Sequence, residues 1–131
     1  MRLLLDTHIL LWTITKSPAL PKQALALIQS PDNTLFTSVA NIWEVAIKHA
    51  RARGTAWDVP LSGEQLLQDL TRADADILSI LPQHAAMVGH LPGHHGDPFD
   101  RLLIAQAQVE SMHLLTHDKH LAAYGDFVIC V

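Results

Sequence analysis

LLLDTHILLW, residues 3–12, decides the fold. Leu3 to Leu5 is a short, continuously apolar run, the pattern of a strand covered on both faces rather than one with a wet side. It stops at Asp6-Thr7, and HILLWTIT then reads as a helix. A buried strand that runs straight into a helix is the opening of a β-α-β unit, and it leaves Asp6 at the strand's carboxyl end.

The same phrase returns along the chain. Thr34 to Thr37 (TLFT) is a second strand, followed by Ser38 as the N-cap of a helix VANIWEVAIKHARA. Val39, Ile42, Val45, Ala46 and Trp43 form that helix's apolar side, while Ser38, Asn41, Glu44 and Lys48 recur at helical spacing on another. Lys22 to Gln29 and Gly63 to Ala73 read as helices, Ile77 to Leu81 as a third strand and Pro82 to His90 as a short helix. A longer helix opens at Asp97-Pro98 and runs to about Ser111. Leu114 to Thr116 is a strand with Asp118 directly after it, Lys119 to Ala122 a short helix, and Phe127 to Val131 a last strand. Strands alternating with helices imply right-handed crossovers and a mainly parallel sheet covered on both faces.

The 131 residues fit a single domain spanning 1–131, with 49% hydrophobic and 17% charged residues and neither linker nor repeat. The start and the short apolar run from Ile9 to Trp12 fall far short of the roughly 20 residues that span a bilayer, so a soluble cytoplasmic protein without a membrane partner is expected. One cysteine, Cys130 in FVICV, excludes an intrachain disulfide and is expected in the core. The formal charge of −4 argues against holding nucleic acid through a broad basic surface. That argument weakens if four of the thirteen acids converge on one site, because nine acids then face nine Lys and Arg.

Four acids share a placement: Asp6 and Asp118 just past strands, Glu44 about two turns into a helix, and Asp100 in a first helical turn. In such sheets ligands bind outside the strands' carboxyl ends. Each acid also has a structural reading. Asp6 could cap a helix, Glu44 pair with Lys48, and Asp118 make a turn. In DPFD, Asp97 suits N-cap, Pro98 N1 and Asp100 N3. Taken together, clustered carboxylates raise one another's pKa unless a cation neutralises them, and an all-oxygen set suits Mg²⁺ or Mn²⁺. Such ions make hydroxide available near neutral pH and stabilise a leaving oxygen, chemistry suited to phosphodiester hydrolysis.

Nine histidines invite a zinc reading at His113, His117 and His120 or at His90, His94 and His95. No cysteine partner or HExxH pattern supports a closed tetrahedral site, which makes surface or RNA-contacting histidines the better expectation. GxSxG, GxxxxGK[ST] and GxGxxG are absent. Lys48, His49, Arg51 and Arg53 form the one basic cluster, either a helix-end charge bias or a contact for RNA phosphates or an acidic partner.

In LLLDTHILLW, SVANIWEVAIKHA, HHGDPFDRLLIAQA and LLTHDKHLAAYGDFVICV, in order from end to end, the chain resembles the PIN-domain ribonucleases, specifically the VapC-like toxins of bacterial type II toxin-antitoxin modules. The resemblance implies a three-layer α/β/α sandwich and a metal-dependent endoribonuclease, with Asp6, Glu44, Asp100 and Asp118 as catalytic and metal-binding acids. It puts Thr7, Ser38 and Thr116 near the metal, with Asp97 in a supporting place. Lys48, Arg51, Arg53 and Arg101 are candidate RNA or partner contacts. It further implies an RNA substrate, a small cognate antitoxin and a homodimer.

Two positions depart from the pattern: Gly96 stands where relatives often carry a basic residue, and Asn41 where they often carry serine. Neither is a metal ligand. Two other readings compete. A PIN-like module without catalysis, binding only RNA or protein, would not need the acids, all four of which are present. A receiver-type phosphorylation switch needs an acidic pair after the first strand, where this chain has Asp6-Thr7-His8.

Overall fold

The computed structural model describes residues 1–51 and 59–131. Five strands form one parallel sheet: β1 (Arg2–Leu5), β2 (Thr34–Ser38), β3 (Asp76–Leu78), β4 (His113–Thr116) and β5 (Val128–Cys130), in the order β3-β2-β1-β4-β5. The helices are α1 (Thr7–Ile14), α2 (Lys22–Gln29), α3 (Val39–Ala50), α4 (Gly63–Arg72), α5 (Pro82–Val88) and α6 (Pro98–Val109), with a 3₁₀ turn at Lys119–Tyr124.

The leucines of β1 explain its central place. β1 pairs on one side with β2 (Leu4↔Phe36) and on the other with β4 (Leu4↔Leu114), so its backbone groups are consumed at both edges. Its side chains alternate between two cores. Leu4, Leu114, Phe36 and Val128 face a cluster built on Leu103, Ile104 and Leu121. Leu5, Leu115, Leu35 and Ile129 face a second cluster that includes Ile9, Leu10, Leu66 and Leu70. Helices therefore cover both sides, and the architecture is an α/β/α sandwich. α3 serves both cores, placing Ala40 in the first and Val45 in the second. Gly63 brings α4 onto it so closely that a Cβ there would stand 2.6 Å from the Ala46 Cβ.

From β1 the chain adds β2 and β3 on one side and then crosses to add β4 and β5 on the other. That reversal opens a crevice at the carboxyl ends of β1 and β4, where parallel sheets accept ligands.

Beyond shifts of one or two residues at helix ends, the sheet departs from the sequence reading in its edge strands. β3 covers Asp76–Leu78 rather than 77–81, because its partner β2 ends at Ser38, which pairs with Leu78. β5 covers Val128–Cys130 rather than 127–131, since Thr116 pairs with Cys130 at the end of β4. Cys130, expected in the core, is only partly buried on that edge strand.

Candidate active site at the carboxyl edge of the sheet

Three of the acids reach the crevice as helix caps. Asp6 caps α1, Asp97 caps α6 and Asp118 caps the 3₁₀ turn, accepting from the backbone N–H of His120 at 2.9 Å. An acid at such a position satisfies orphan amides and sits where the helix dipole favours negative charge. Asp97 Oδ1 accepts from the N–H groups of Phe99 and Asp100 at 2.8 and 3.1 Å, which fixes the turn that presents Asp100.

Asp6 is 4% exposed and held from two sides: Oδ1 accepts from Thr7 N–H at 2.7 Å, and Oδ2 accepts from the Thr116 hydroxyl at 2.6 Å. Thr116 Oγ1 in turn accepts from Asp118 N–H at 3.0 Å. Glu44 is equally buried. The Thr7 hydroxyl donates to its Oε1 at 2.6 Å, and Lys48 Nζ donates to Oε2.

The polar side of α3 is therefore turned inward. Asn41 Nδ2 donates to Thr7 Oγ1 at 2.9 Å, while its Oδ1 accepts from Ser38 N–H at 2.7 Å, completing a capping box. The Ser38 hydroxyl donates to Gln106 Oε1 at 2.6 Å. Asn41 and Gln106, both fully buried, thus join two residues, Thr7 and Ser38, that the family pattern had placed near the metal.

Electrostatics tie the acids together. Burial pushes Asp100 up to about 7, and the charges of Asp6, Asp97 and Glu44 add to the rise, while a hydrogen bond from His95 opposes it. Burial also raises Asp6, against the hydrogen bonds from Thr116 and Thr7. For Lys48, burial pulls downward, but the hydrogen bond and charge of Glu44, with Asp97 and Asp100 beyond, hold the ammonium above its ordinary value. The carboxylates are short of positive charge, and their oxygens are the donors that a hard divalent cation takes.

His95 is the residue that sequence reasoning discounted. Its Nε2 lies 2.8 Å from Asp100 Oδ2 and 3.9 Å from Asp118 Oδ2. Of the other histidines of the zinc reading, His94 packs edge-on against Tyr124, His117 Nδ1 meets the backbone carbonyl of Val131, and His120 lies parallel to His95.

The basic candidates divide. Lys48 stands beside the acids, and Arg51 is exposed at the end of α3. Arg53 lies outside the described residues. Arg101, read as an RNA or partner contact, points inward instead. Its Nη1 donates to Pro92 O at 2.9 Å and Tyr124 Oη at 3.1 Å, and its Nη2 to Val88 O at 3.1 Å, with longer contacts to the carbonyls of Leu91 and His95. It binds the loop between α5 and α6 to the body of α6.

With this geometry in view, comparison with known proteins is direct. The PIN domain description matches residues 3–126. The chain belongs to the PIN-domain family. No curated protein sequence matches it. Solved PIN-fold structures similar to it include VapBC2 from Rickettsia felis bound to a DNA fragment from the promoter, at 18% identity and a TM-score of 0.68, covering 100% of this chain and 98% of that one. VapBC-5 from Mycobacterium tuberculosis is similar at 22% identity and a TM-score of 0.63, covering 99% and 97%. DNA-bound VapBC from Salmonella typhimurium is similar at 16% identity and a TM-score of 0.66, covering 100% and 97%. At these identities the likeness is one of fold, and it extends over the whole chain. No helix among the described residues is long and apolar enough to cross a membrane.

Proposed function

We propose that the protein is a Mg²⁺- or Mn²⁺-dependent endoribonuclease, the toxin of a type II toxin-antitoxin module. What supports this reading is the clustering of acids at the carboxyl edge of the sheet: the charges of Asp6 and Glu44 act on Asp100, and Asp100 and Asp118 come within reach of one ion. The PIN family is a family of nucleases, which makes hydrolysis of a phosphodiester the natural use of such a site.

The carboxylate oxygens are donors of the kind that the cation implied by the family takes. Asp100 and Asp118 would hold it, with Asp6 beside them and Glu44 joined to the group through Thr7. When bound, the cation supplies hydroxide near neutral pH and offsets charge on the phosphate. The protein's own groups do the rest. Thr116 and Thr7 fix the carboxylate of Asp6, Asp97 sets the turn that aims Asp100, and the Ser38-Asn41-Thr7 chain holds Glu44. Lys48, still 44% exposed along its side chain, is placed to meet a substrate phosphate at the rim of the acids.

A receiver-type switch suits the site poorly: it needs an adjacent acidic pair after the first strand, and Asp6 is followed by Thr7 and His8. The similar solved structures are toxin-antitoxin complexes, some of them on DNA, which supports a small antitoxin as partner. Exposed Val39 and Trp43, one turn apart on α3, provide apolar surface for protein contact such as the homodimer the family implies.

The test is RNA cleavage by purified protein with Mg²⁺ or Mn²⁺, beside Asp6→Asn and Asp100→Asn. Wild-type cleavage lost in both variants is expected. Equal cleavage by all three proteins would sink the assignment.

A further inference from the structure

The loop between α5 and α6 brings a nitrogen into a site otherwise made of carboxylate oxygens. One donor atom each from His95, Asp100 and Asp118 lies within 4.8 Å of the other two. Around an octahedral cation with bonds of about 2.1 Å, neighbouring donors stand roughly 3 Å apart and opposite ones roughly 4.2 Å. The separations from His95 Nε2, 2.8 Å to Asp100 across a hydrogen bond and 3.9 Å to Asp118, are close to those of one neighbouring and one opposite position for an ion that takes the place of the shared proton.

We propose that His95 Nε2 is itself a ligand of the divalent cation, beside Asp100 and Asp118, and that this nitrogen makes the site select Mn²⁺ over Mg²⁺. The inference rests on the metal-dependent reading above and concerns which ion that site takes. Carboxylate and water ligands serve Mg²⁺ and Mn²⁺ alike, whereas imidazole suits first-row transition ions and contributes little to Mg²⁺.

The loop is built to hold the ring there. Arg101 reaches the His95 carbonyl and those of Pro92 and Leu91, and Asp97 caps the helix two residues on. The imidazole also lies nearly parallel to that of His120, at 13° with centroids 6.5 Å apart. A ligand held this way loses little freedom when the ion binds, and that preorganisation goes into affinity.

The experiment is Mn²⁺ titration into metal-free protein, followed by electron paramagnetic resonance, with the bound ion then probed by pulsed resonance for coupling to a directly bonded nitrogen. Wild type is expected to show nitrogen modulation. His95→Gln is expected to lose it, with Mn²⁺ affinity falling at least as far as the roughly 10–100-fold seen when a group that merely supports a ligand is removed, and Mg²⁺ affinity changing far less. His120→Gln and His94→Gln are expected to keep the modulation. Mn²⁺ that binds in an Asp100-dependent way without nitrogen modulation overturns the proposal, as does modulation that persists in His95→Gln. Failure of wild type to bind Mn²⁺, or binding indifferent to Asp6→Asn and Asp100→Asn, overturns the metal site beneath it as well. Absence of nitrogen modulation in wild type overturns the proposal without any variant, so a misfolded mutant leaves that outcome intact.

Discussion

The Thr116 hydroxyl donates to Asp6 Oδ2 at 2.6 Å, joining residues 110 positions apart in the chain. The bond exists because β1 and β4 are neighbours and each residue stands at the carboxyl end of its strand. The same Thr116 oxygen accepts from Asp118 N–H, so one hydroxyl sets the spacing of two acids.

Thr116→Val keeps the shape and removes that hydroxyl. Asp6 then has a buried oxygen without its donor, which costs about 1–3 kcal/mol. Urea unfolding should register the loss, and RNA cleavage should fall with it, while Thr116→Ser keeps both near wild type. Unchanged stability and cleavage in the valine variant would show that the hydroxyl does not hold Asp6.

Asp100 gives the metal-free protein a distinctive pH dependence. Its folded-state pKa of about 7 lies above the ordinary 3.8, so the folded form binds the proton more tightly than the unfolded form does. Its contribution to stability is therefore favourable while it is protonated and is lost as pH rises from about 4 through about 7. Asp6, also raised, acts in the same direction. In EDTA, Tm should fall over this window, and the fall should be smaller in Asp100→Asn. Adding Mn²⁺ should restore most of it near pH 7. A Tm difference between wild type and Asp100→Asn that does not vary with pH would contradict the raised pKa.

Lys48 is a positive charge beside the acids, and it would oppose a cation bound there while attracting phosphate. In Lys48→Met, Mn²⁺ should bind more tightly by on the order of 1 kcal/mol, about fivefold, and RNA more weakly. Calorimetry for the ion and filter binding for RNA separate the two effects. Weaker binding of both would mean that Lys48 serves mainly to keep Glu44 in place.

Arg101 and Lys48 should behave oppositely. Arg101→Lys loses the guanidinium that spans the carbonyls of Val88, Leu91 and Pro92, and Tm should drop by several degrees. RNA affinity of the folded fraction should stay close to wild type. Intact Tm with weakened RNA binding would restore Arg101 to the role of a nucleic-acid contact.

The framework was legible because it is local. An apolar run ending in an acid marked Asp6 and Asp118, and the cap chemistry of Asp97-Pro98 fixed the start of α6 and so the place of Asp100. Glu44 followed from the helical spacing of Ser38, Asn41, Glu44 and Lys48, although that side could equally have faced water; the structure turns it toward Thr7. What escaped depends on partners far away. The length of β3 is set by where β2 ends, which its own residues do not encode. The location of His95 follows from Arg101 reaching back to its loop, and a basic residue beside DPFD gives no sign that it faces inward.

The central position of β1 governs when the acids can come together. The strand made first needs β2 on one side and β4 on the other, and β4 comes only at residues 113–116. Asp118 and the Thr116 hydroxyl arrive with it, so a growing chain carries Asp6 and Glu44 long before it has anything to complete them. Such non-local closure is slow compared with pairing between neighbours. The acids of the carboxyl edge are thus brought together only when the fourth strand docks, late in the life of the growing chain.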